Sequence, residues 1–366
     1  MKITKIATRT MAIPLKRPFK TALRVAEAIE DILVRVETDA GLTGLGEAGP
    51  TAVITGDTKQ SIQGAIEDFI APALIGRELE DFDGLMEALH CALLKNHSAK
   101  AAVDMALYDL LAQSYGVPLY QWLGGRKKRV ITDITISLNE TPEMVADSLD
   151  ALCDSFSILK IKVGKDGLDD AKRVAEIRKA IGPGAELRVD ANQGWTPKES
   201  VRNIRAMEDM GCDIALVEQP VPAHDLAGLR FVTASVLTPI LADESIFSLL
   251  DAEEVIRTRA ADCINIKLMK TGGIYQALKI CGLAESHGVA CMMGCMLESR
   301  LSVSAAAHLA AAKGIISMAD LDGPSLCAAD PYEGGPVFRG PDIFMPEEPG
   351  IGIKLKPDLS FKEASF

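Results

Sequence analysis

From about residue 130 onward, short apolar runs rich in β-branched residues alternate with longer amphipathic segments. The eight runs, in chain order, are VITDITIS, SILKIKV, AELRVDA, DIALVEQ, PILADES, CINIKLM, VACMMG and IISMADLD. The segments between them, such as DDAKRVAEIRKAIG, place apolar residues at helical spacing. This alternation predicts buried parallel strands in a TIM-type barrel of seven or eight β/α units. A doubly wound open sheet is the alternative, but no GxGxxG motif follows an early strand.

The first 120 or so residues have a different pattern. The stretch DILVRVETDAGLTGLGEA alternates apolar and polar residues around a glycine-bearing turn, which predicts an antiparallel hairpin. Helical patterns follow, notably SAKAAVDMALYDLLAQ, and strands followed by helices indicate a separate α+β unit. Turn residues in YGVPLYQWLGG mark a boundary near residue 125. We therefore expect an α+β domain over residues 1–125 and a barrel domain over residues 126–330.

Composition and charge argue against several classes of function. A formal net charge of -12 disfavours nucleic acid or an anionic membrane as the main partner. The eight cysteines show neither CxxC nor metal-ligand spacing, which indicates a reducing compartment. Charges interrupt the first 20 residues, and no apolar stretch reaches the roughly 18 residues that a membrane span needs. We expect a cytoplasmic protein with a small-molecule substrate.

Five of the runs end in an ionisable residue at equivalent positions. In chain order these residues are Lys162, Asp190, Glu218, Asp243 and Lys267, and subtraction of their numbers gives spacings of 28, 28, 25 and 24. Each spacing is about one strand and helix, so the five side chains are predicted to share one mouth at the C-terminal face of the barrel. A single strand-end acid could merely cap the next helix. Three acids in register favour a common site.

Three converging carboxylates cannot all stay ionised unless a cation lies among them. Oxygen ligands without histidine or cysteine select a hard metal ion, and they favour Mg²⁺ over Zn²⁺ or Ca²⁺. Asp190, Glu218 and Asp243 are therefore predicted to bind one Mg²⁺.

The lysines at the rim point to proton transfer. Lys160 and Lys162 lie two apart in a strand and so project from one face, in an apolar context that argues against a solvated strand edge. Lys162 and Lys267 are predicted on opposite sides of the acids. A buried ammonium near Mg²⁺ and another lysine has a lowered pKa and can act as a base. Two bases on opposite faces of one carbon imply proton removal on one side and delivery on the other. The metal is predicted to stabilise the charge that develops on a substrate carboxylate as its α-carbon loses a proton, and Lys160 to neutralise the same carboxylate.

Together these motifs resemble the muconate-lactonizing-enzyme subgroup of the enolase superfamily. The matching pieces are the KIK of Lys160–Lys162, DANQGW, VEQP, ADES and NIKLMKTGG, and the resemblance extends to GLTGLGEA and SAKAAVDMALYDL. It implies a modified enolase-type barrel under an α+β capping domain, with the C-terminal segment 331–366 packing back on that domain. The subgroup includes cycloisomerases, o-succinylbenzoate synthases, N-acylamino-acid racemases and dipeptide epimerases, so these motifs do not specify one reaction.

The motif MADLDGP places Asp320 and Asp322 on one face at the end of the eighth run. The metal already has three ligands, and an acid pair suits a free α-ammonium group. The resemblance implies the same, since dipeptide epimerases carry DxD for the amino terminus of the dipeptide. A simple turn cap before Gly323 is the structural alternative.

Other parts of the resemblance concern the substrate side chain. KTALR with PTAVITGD is similar to the version in epimerases of alanyl-glutamate, which implies that Arg24 meets the glutamate carboxylate. A solvated arginine is the structural alternative. GCMLESRLS adds Cys295 to the pocket wall, where the family usually has a serine-like or glycine-rich rim. It also adds Glu298, an acid expected near the sixth-strand lysine.

The resemblance thus implies a Mg²⁺-dependent dipeptide epimerase that interconverts L-Ala-L-Glu and L-Ala-D-Glu through an enediolate stabilised by the metal. It also implies murein peptide metabolism and a homo-oligomer. Alternatives on the same fold are an epimerase for hydrophobic or cationic dipeptides, an N-succinylamino-acid racemase and an o-succinylbenzoate synthase. Alternatives of other classes are a Schiff-base aldolase that uses Lys267 and an inactive sugar- or peptide-binding barrel.

Overall fold

The N-terminal part of the chain folds as an antiparallel sheet covered by helices. The structure is a computed structural model that describes residues 1–165, 167 and 169–356. The strands β1 (Ile3–Lys20), β2 (Val25–Thr38) and β3 (Thr43–Ala48) form a meander in that order. The helices are α1 (Lys59–Gly64), which leads into a π-helical turn (Ala65–Ile70), α2 (Ala71–Leu74), α3 (Phe82–Cys91), α4 (His97–Ser114) and α5 (Leu119–Trp122).

Helix α4 packs directly against the sheet because β3 is built on glycine at the contact. A Cβ atom added at Gly46 would lie 1.8 Å from the carbonyl oxygen of Ala102, and one added at Gly44 would lie 2.1 Å from that of Ala106. Any side chain at these positions would push the helix away. The glycines of GLTGLGEA and the alanines of the helix therefore form one close contact.

The second part of the chain alternates strands and helices around a barrel. Its elements are β4 (Arg129–Ile131), β5 (Ile134–Ile136), α6 (Thr141–Cys153), β6 (Ile158–Lys162), α7 (Asp169–Ile181), β7 (Glu186–Asp190), α8 (Pro197–Asp209), β8 (Ile214–Glu218), α9 (Leu226–Thr233), β9 (Ile240–Ala242), α10 (Leu249–Thr258), β10 (Cys263–Lys267), α11 (Leu268–Thr271), α12 (Ile274–His287), β11 (Cys291–Gly294), α13 (Arg300–Ala312), β12 (Ile316–Asp320) and α14 (Gly323–Leu326). Within the described residues, β5 to β12 form an eight-stranded parallel sheet in chain order. The first and last strands approach each other, since Leu321 N donates to Thr132 Oγ1 at 2.7 Å. The predicted TIM-type barrel is confirmed.

The run VITDITIS, predicted as one strand, is two. Strand β4 leaves the barrel and pairs with a C-terminal strand, whereas β5 joins the barrel. Between them Asp133 is fully buried and binds Arg188 of β7, with Nη1 to Oδ2 at 2.9 Å. A buried carboxylate needs such a partner, and the break between the two strands places Asp133 against Arg188.

The C-terminal segment contributes four short strands and contacts the N-terminal domain. The strands are β13 (Tyr332–Gly334), β14 (Val337–Arg339), β15 (Asp342–Phe344) and β16 (Ile353–Leu355). Ile351 N donates to Asp109 Oδ1 of α4 at 2.7 Å, and Leu119 N donates to Gly350 O at 2.8 Å. Residues 357–366 of the segment predicted to pack on this domain lie outside the described residues.

The structure bears on two features of the composition, the apolar segments and the cysteines. Among the described helices, none has both the length and the apolar character needed to cross a bilayer. The eight cysteines, which all fall in the described ranges, are free thiols.

Candidate active site

The register of the parallel strands brings the predicted strand-end residues side by side. Lys162 of β6 is the partner of Asp190 of β7, which is in turn the partner of Glu218 of β8. Asp243 directly follows β9, and Lys267 ends β10. Each of the five residues is at most 5 % exposed. The strand spacing seen in the sequence therefore corresponds to one buried cluster at the C-terminal edge of the barrel.

Each of the three carboxylates in this cluster is paired with a lysine. Lys162 Nζ lies 2.5 Å from Asp190 Oδ2, and Lys267 Nζ lies 2.7 Å from Asp243 Oδ2. Lys160 Nζ lies 2.7 Å from Glu218 Oε2 and 3.2 Å from Asp190 Oδ2. The acids and lysines thus form one connected network, as expected for charges that are removed from water.

The protein's own charges shift the pKa values of this network in opposite directions. Burial alone would lower the pKa of Lys267, but Asp243 and Glu218 outweigh it and raise that pKa. The sequence predicted a lowered lysine pKa next to Mg²⁺, and the carboxylates by themselves act in the other direction. Burial opposes ionisation of Asp190, yet Lys162 and Lys160 hold its pKa below the ordinary value. For Glu218, burial and then the charge of Asp190 raise the pKa to about 8.

A cavity at the barrel mouth is lined by residues from both domains. It brings together seven of the residues predicted from the sequence, namely Arg24, Lys160, Lys162, Lys267, Cys295, Asp320 and Asp322. Phe19 and Ile54 of the N-terminal domain complete its outer wall. This domain therefore covers the opening of the barrel, and its early loop reaches the same space as the lysines.

The acid pair at the end of β12 has two different sets of contacts. Asp320 Oδ2 accepts a hydrogen bond from Lys160 Nζ at 2.7 Å, and Asp322 Oδ2 accepts one from Thr135 N at 2.6 Å. Burial opposes ionisation of Asp320, but Lys160 and Lys267 lower its pKa to about 2. Burial, and then the charge of Asp320, raise the pKa of Asp322 to about 6. Both side chains line the cavity, where a cation would relieve their mutual repulsion.

Arg24 lies in the tight connection between β1 and β2. Thr21 N donates to Arg24 O at 3.0 Å, which closes the turn. The guanidinium is partly buried at the cavity rim, and this burial lowers its pKa while Asp31 opposes the shift. A cation at the rim is suited to an anionic group of a ligand.

The seventh-unit loop places Cys295 and Glu298 in different surroundings. The Cys295 thiol is buried against the cavity, and burial raises its pKa well above the ordinary value. Glu298 instead accepts hydrogen bonds from Met296 N at 2.5 Å and from the Ser302 hydroxyl. Its carboxylate is thus held by its own loop and helix, while Lys267 is paired with Asp243.

Comparison with known families agrees with this arrangement over most of the chain. Residues 143–359 match the family described as "Enolase C-terminal domain-like". Residues 3–124 match the family described as "Mandelate racemase / muconate lactonizing enzyme, N-terminal domain". The chain belongs to the mandelate racemase/muconate lactonizing enzyme family of the enolase superfamily. The resemblance inferred from the motifs is confirmed.

Several members of this family are similar to the chain along nearly its whole length. An L-Ala-D/L-Glu epimerase of Clostridium acetobutylicum is 52% identical over 354 residues, which cover 97% of this chain and 99% of the relative. The structure of a substrate-liganded complex of the L-Ala-D/L-Glu epimerase from Bacillus subtilis superposes with a TM-score of 0.95 at 51% identity, covering 96% and 99% of the two chains. A dipeptide epimerase from Enterococcus faecalis, complexed with Mg and the dipeptide L-Leu-L-Tyr, superposes with a TM-score of 0.93 at 43% identity, covering 96% and 99%.

The donor atoms of the cluster are suited to the magnesium ion found in such family members. Asp190 and Asp243 both raise the pKa of Glu218, which is the mutual repulsion that a divalent cation would relieve. All three side chains offer oxygen atoms, the ligands that Mg²⁺ prefers. The three carboxylates each contact a lysine. Among the described residues, no three acidic, histidine or cysteine side chains lie close enough together to hold a metal ion.

Two buried residues of the family's NIKLMKTGG segment were missed in the sequence. Lys270 has no exposed surface and donates to Asp243 Oδ1 at 2.5 Å. Asn265 Nδ2 donates to Glu218 Oε1 at 2.9 Å. The signal for Lys270 was a second lysine inside an apolar stretch, three residues after Lys267.

Two barrel helices begin on carboxylates that the N-terminal domain supplies. Asp104 of α4 accepts from Ile274 N at 2.6 Å and from Tyr275 N at 3.1 Å, at the start of α12. Gly273, with φ of 114°, lies so close that a Cβ would be 2.3 Å from Asp104 Cγ, which explains this glycine of KTGG. Glu47 of β3 accepts from Ser299 N at 2.8 Å, where α13 begins.

Proposed function

We propose that this chain is a Mg²⁺-dependent dipeptide epimerase, an isomerase that inverts the α-carbon of the C-terminal residue of L-Ala-L-Glu and L-Ala-D-Glu. The observation that carries the proposal is that Lys162 and Lys267 line one cavity from strands β6 and β10. These strands are four apart in the eight-stranded order of the described barrel, so the two amines approach from opposite sides. The 52% and 51% identity to proteins named L-Ala-D/L-Glu epimerase supports the same reaction.

The two lysines carry out the inversion by moving one proton each. One lysine, in its neutral form, takes the proton from the α-carbon, and the electron pair of the C–H bond passes to the adjacent carboxylate. The other lysine, in its ammonium form, gives a proton to the opposite face of the same carbon. For the reverse diastereomer the two lysines exchange roles. Positioned bases of this kind contribute about 10²- to 10⁴-fold to a rate.

The three strand-end carboxylates hold the metal ion in this proposal. Asp190, Glu218 and Asp243 would bind Mg²⁺, which when bound supplies positive charge to stabilise the charge on the substrate carboxylate. Lys160 adds a fixed cation beside the same group. Relatives solved with Mg and a dipeptide, from Enterococcus faecalis and Cytophaga hutchinsonii, support this choice of ion.

The ends of the dipeptide are held by the remaining cavity residues. Asp320 and Asp322 accept hydrogen bonds from the free ammonium group of the first residue, while Arg24 binds the side-chain carboxylate of the second. Cys295 forms part of the wall, and the role of Glu298 as an acid near Lys267 stays a prediction. A dipeptide of this composition fits the turnover of cell-wall peptides, where we place the reaction.

A dipeptide library in D₂O with Mg²⁺, read by mass for α-deuteration, tests the proposal. We expect deuterium in L-Ala-L-Glu and L-Ala-D-Glu, loss of the exchange with a chelator, and recovery with added Mg²⁺. Deuterium only in dipeptides that end in Phe, Leu or Lys, or only in N-succinylamino acids, would show that the labelled class is the substrate instead of L-Ala-Glu. Exchange in no compound would end the epimerase proposal. Borohydride trapping of a carbonyl substrate with insensitivity to chelator would instead favour an aldolase.

A further inference from the structure

Lys270 is a lysine whose ammonium group is fully used inside the protein. Its side chain has no exposed surface. Nζ donates to three oxygens, namely Asp243 Oδ1 at 2.5 Å, Asn265 O at 3.1 Å and the main-chain oxygen of Asp243. An ammonium has three N–H groups, so none remains for a ligand. Lys270 is also absent from the lining of the cavity, whereas Lys267 is part of it.

Asp243 differs from the other two acids in how its backbone is held. Asp190 and Glu218 end their strands and are paired in the sheet ladder. Asp243 lies one residue beyond the short strand β9 (Ile240–Ala242), outside that ladder. Its backbone N–H donates to Gln219 Oε1 at 2.9 Å instead. Its main-chain oxygen accepts from Ile246 N at 3.0 Å in the turn that follows, so beyond this turn the orientation of the carboxylate depends on side-chain contacts.

Lys270 supplies the contact that fixes the orientation of Asp243. It binds the main-chain oxygen and one carboxylate oxygen of the same residue, which restricts the side-chain torsions between them. The other oxygen, Oδ2, lies 2.7 Å from Nζ of Lys267, and Lys267 lines the cavity. Both lysines provide a counter-charge to Asp243, and Lys270 adds a geometric restraint because it binds two oxygens of that residue.

We propose that Lys270 is a positioning residue that holds Asp243 through Oδ1, so that Oδ2 alone is presented to the metal ion and the reacting group. The inference rests on the proposed role of Asp243 as a ligand of Mg²⁺. The role of Lys270 differs from that of either proposed base, because Lys270 acts through Asp243 and contacts neither face of the substrate.

The test compares Lys270→Met with Lys100→Met. Lys100 is a matched control because it is also a buried lysine, 6% exposed, and donates to the carbonyl oxygens of His90 and Leu93 within the N-terminal domain. Titration calorimetry with Mg²⁺ alone measures metal affinity, and α-deuteration at limiting Mg²⁺ measures exchange. We expect Lys270→Met to bind Mg²⁺ at least tenfold more weakly and to slow exchange equally from both diastereomers. Lys100→Met should match the wild type in Mg²⁺ affinity.

Two results with Lys270→Met would overturn the inference. Affinity within threefold of the wild type would show that Asp243 needs no such contact. Tighter binding would show that Lys270 acts only as a positive charge that repels the ion. A wild type that binds Mg²⁺ but exchanges no dipeptide would refute the proposed substrate and leave the Lys270 comparison intact, because affinity is measured without substrate. A wild type that binds no Mg²⁺ would refute both.

A crystal structure of the wild type with Mg²⁺ decides the point even when Lys270→Met does not fold. The inference requires Lys270 Nζ to stay within hydrogen-bond distance of Asp243 Oδ1 while Oδ2 contacts the ion. An ion bound by both oxygens of Asp243, or Lys270 turned away from it, would contradict the inference.

Discussion

Lys162 and Asp190 are register partners on adjacent strands, and their side chains meet, Nζ to Oδ2, at 2.5 Å. On the other side of the acid trio, Lys267 meets Asp243 in the same way at 2.7 Å. Each proposed base therefore rests against a different carboxylate, at opposite ends of the trio. The two proposed bases are thus held alike on either side of the trio.

Removal of one proposed base should slow exchange from one diastereomer of the dipeptide more than from the other. In Lys162→Ala we expect α-deuteration to fall by about 10²- to 10⁴-fold from one diastereomer and to persist from the other, because Lys267 still reaches its own face. Mass measurement in D₂O, started separately from L-Ala-L-Glu and L-Ala-D-Glu, checks this. Lys172→Ala is the control, since that lysine is 70% exposed on α7. Unchanged exchange from both substrates would remove Lys162 from the proposed role.

Arg24 should determine the preference for an acidic second residue. Arg24→Met keeps the aliphatic contact at the rim and removes the charge. A hydrogen bond to a charged group contributes about 1.5–3 kcal/mol, so kcat/KM for L-Ala-L-Glu should fall roughly 10- to 100-fold. Steady-state kinetics with L-Ala-L-Gln provides the comparison, and kcat/KM for this substrate should fall much less in Arg24→Met. An equal loss for both substrates would mean that Arg24 does not contact the side-chain carboxylate.

The acid pair should require a free amino terminus. N-acetyl-L-Ala-L-Glu lacks the ammonium group that would lie against Asp320 and Asp322, so the wild type should discriminate against it by at least tenfold in kcat/KM. Asp322→Asn keeps the carbonyl acceptor for Thr135 N but removes the charge. The ratio of kcat/KM for the free dipeptide to that for the acetylated one should therefore be smaller in this variant. If the wild type turns over the acetylated dipeptide as well as the free one, the proposed ammonium site is wrong.

The interdomain acid Asp104 should make stability depend on pH. Burial raises its pKa to about 8, although hydrogen bonds from Ile274 and Tyr275 oppose the shift. The folded protein therefore retains a proton that the unfolded chain releases above about pH 4, and this contribution to stability is lost as the pH rises toward 8. Asp104→Asn keeps an acceptor but cannot titrate. Between pH 4 and pH 8 the unfolding temperature should decline more steeply in the wild type. Parallel curves for the two proteins would contradict the assignment.

Much of the site could be predicted from the sequence because it follows from strand spacing. A strand and helix of similar length recur between Lys162 and Lys267, so the strand ends fall in register without knowledge of the tertiary fold. The acid pair Asp320 and Asp322 was found in the same way, from period-two spacing at a strand end.

The remaining contacts depend on partners that are distant in the sequence. Asp104 and Ile274 are separated by 170 in residue number, and Glu47 and Ser299 by 252. Periodicity in one segment carries no information on such pairs. The contact of Lys270 could not be predicted for another reason. A short helix, α11, follows β10 and directs Lys270 away from the cavity and toward Asp243.

The hydrogen bonds from the N-termini of α12 and α13 to acids of the N-terminal domain also limit how domains of this enzyme family could be exchanged. In a chimera that joins the N-terminal domain of one member to the barrel of another, α12 and α13 would begin correctly only with acceptors at the positions of Asp104 and Glu47. Exchange of whole domains would therefore disturb the barrel itself. The turn that carries Arg24 closes through its own Thr21 contact, so a graft of those few residues should transfer side-chain preference with less damage.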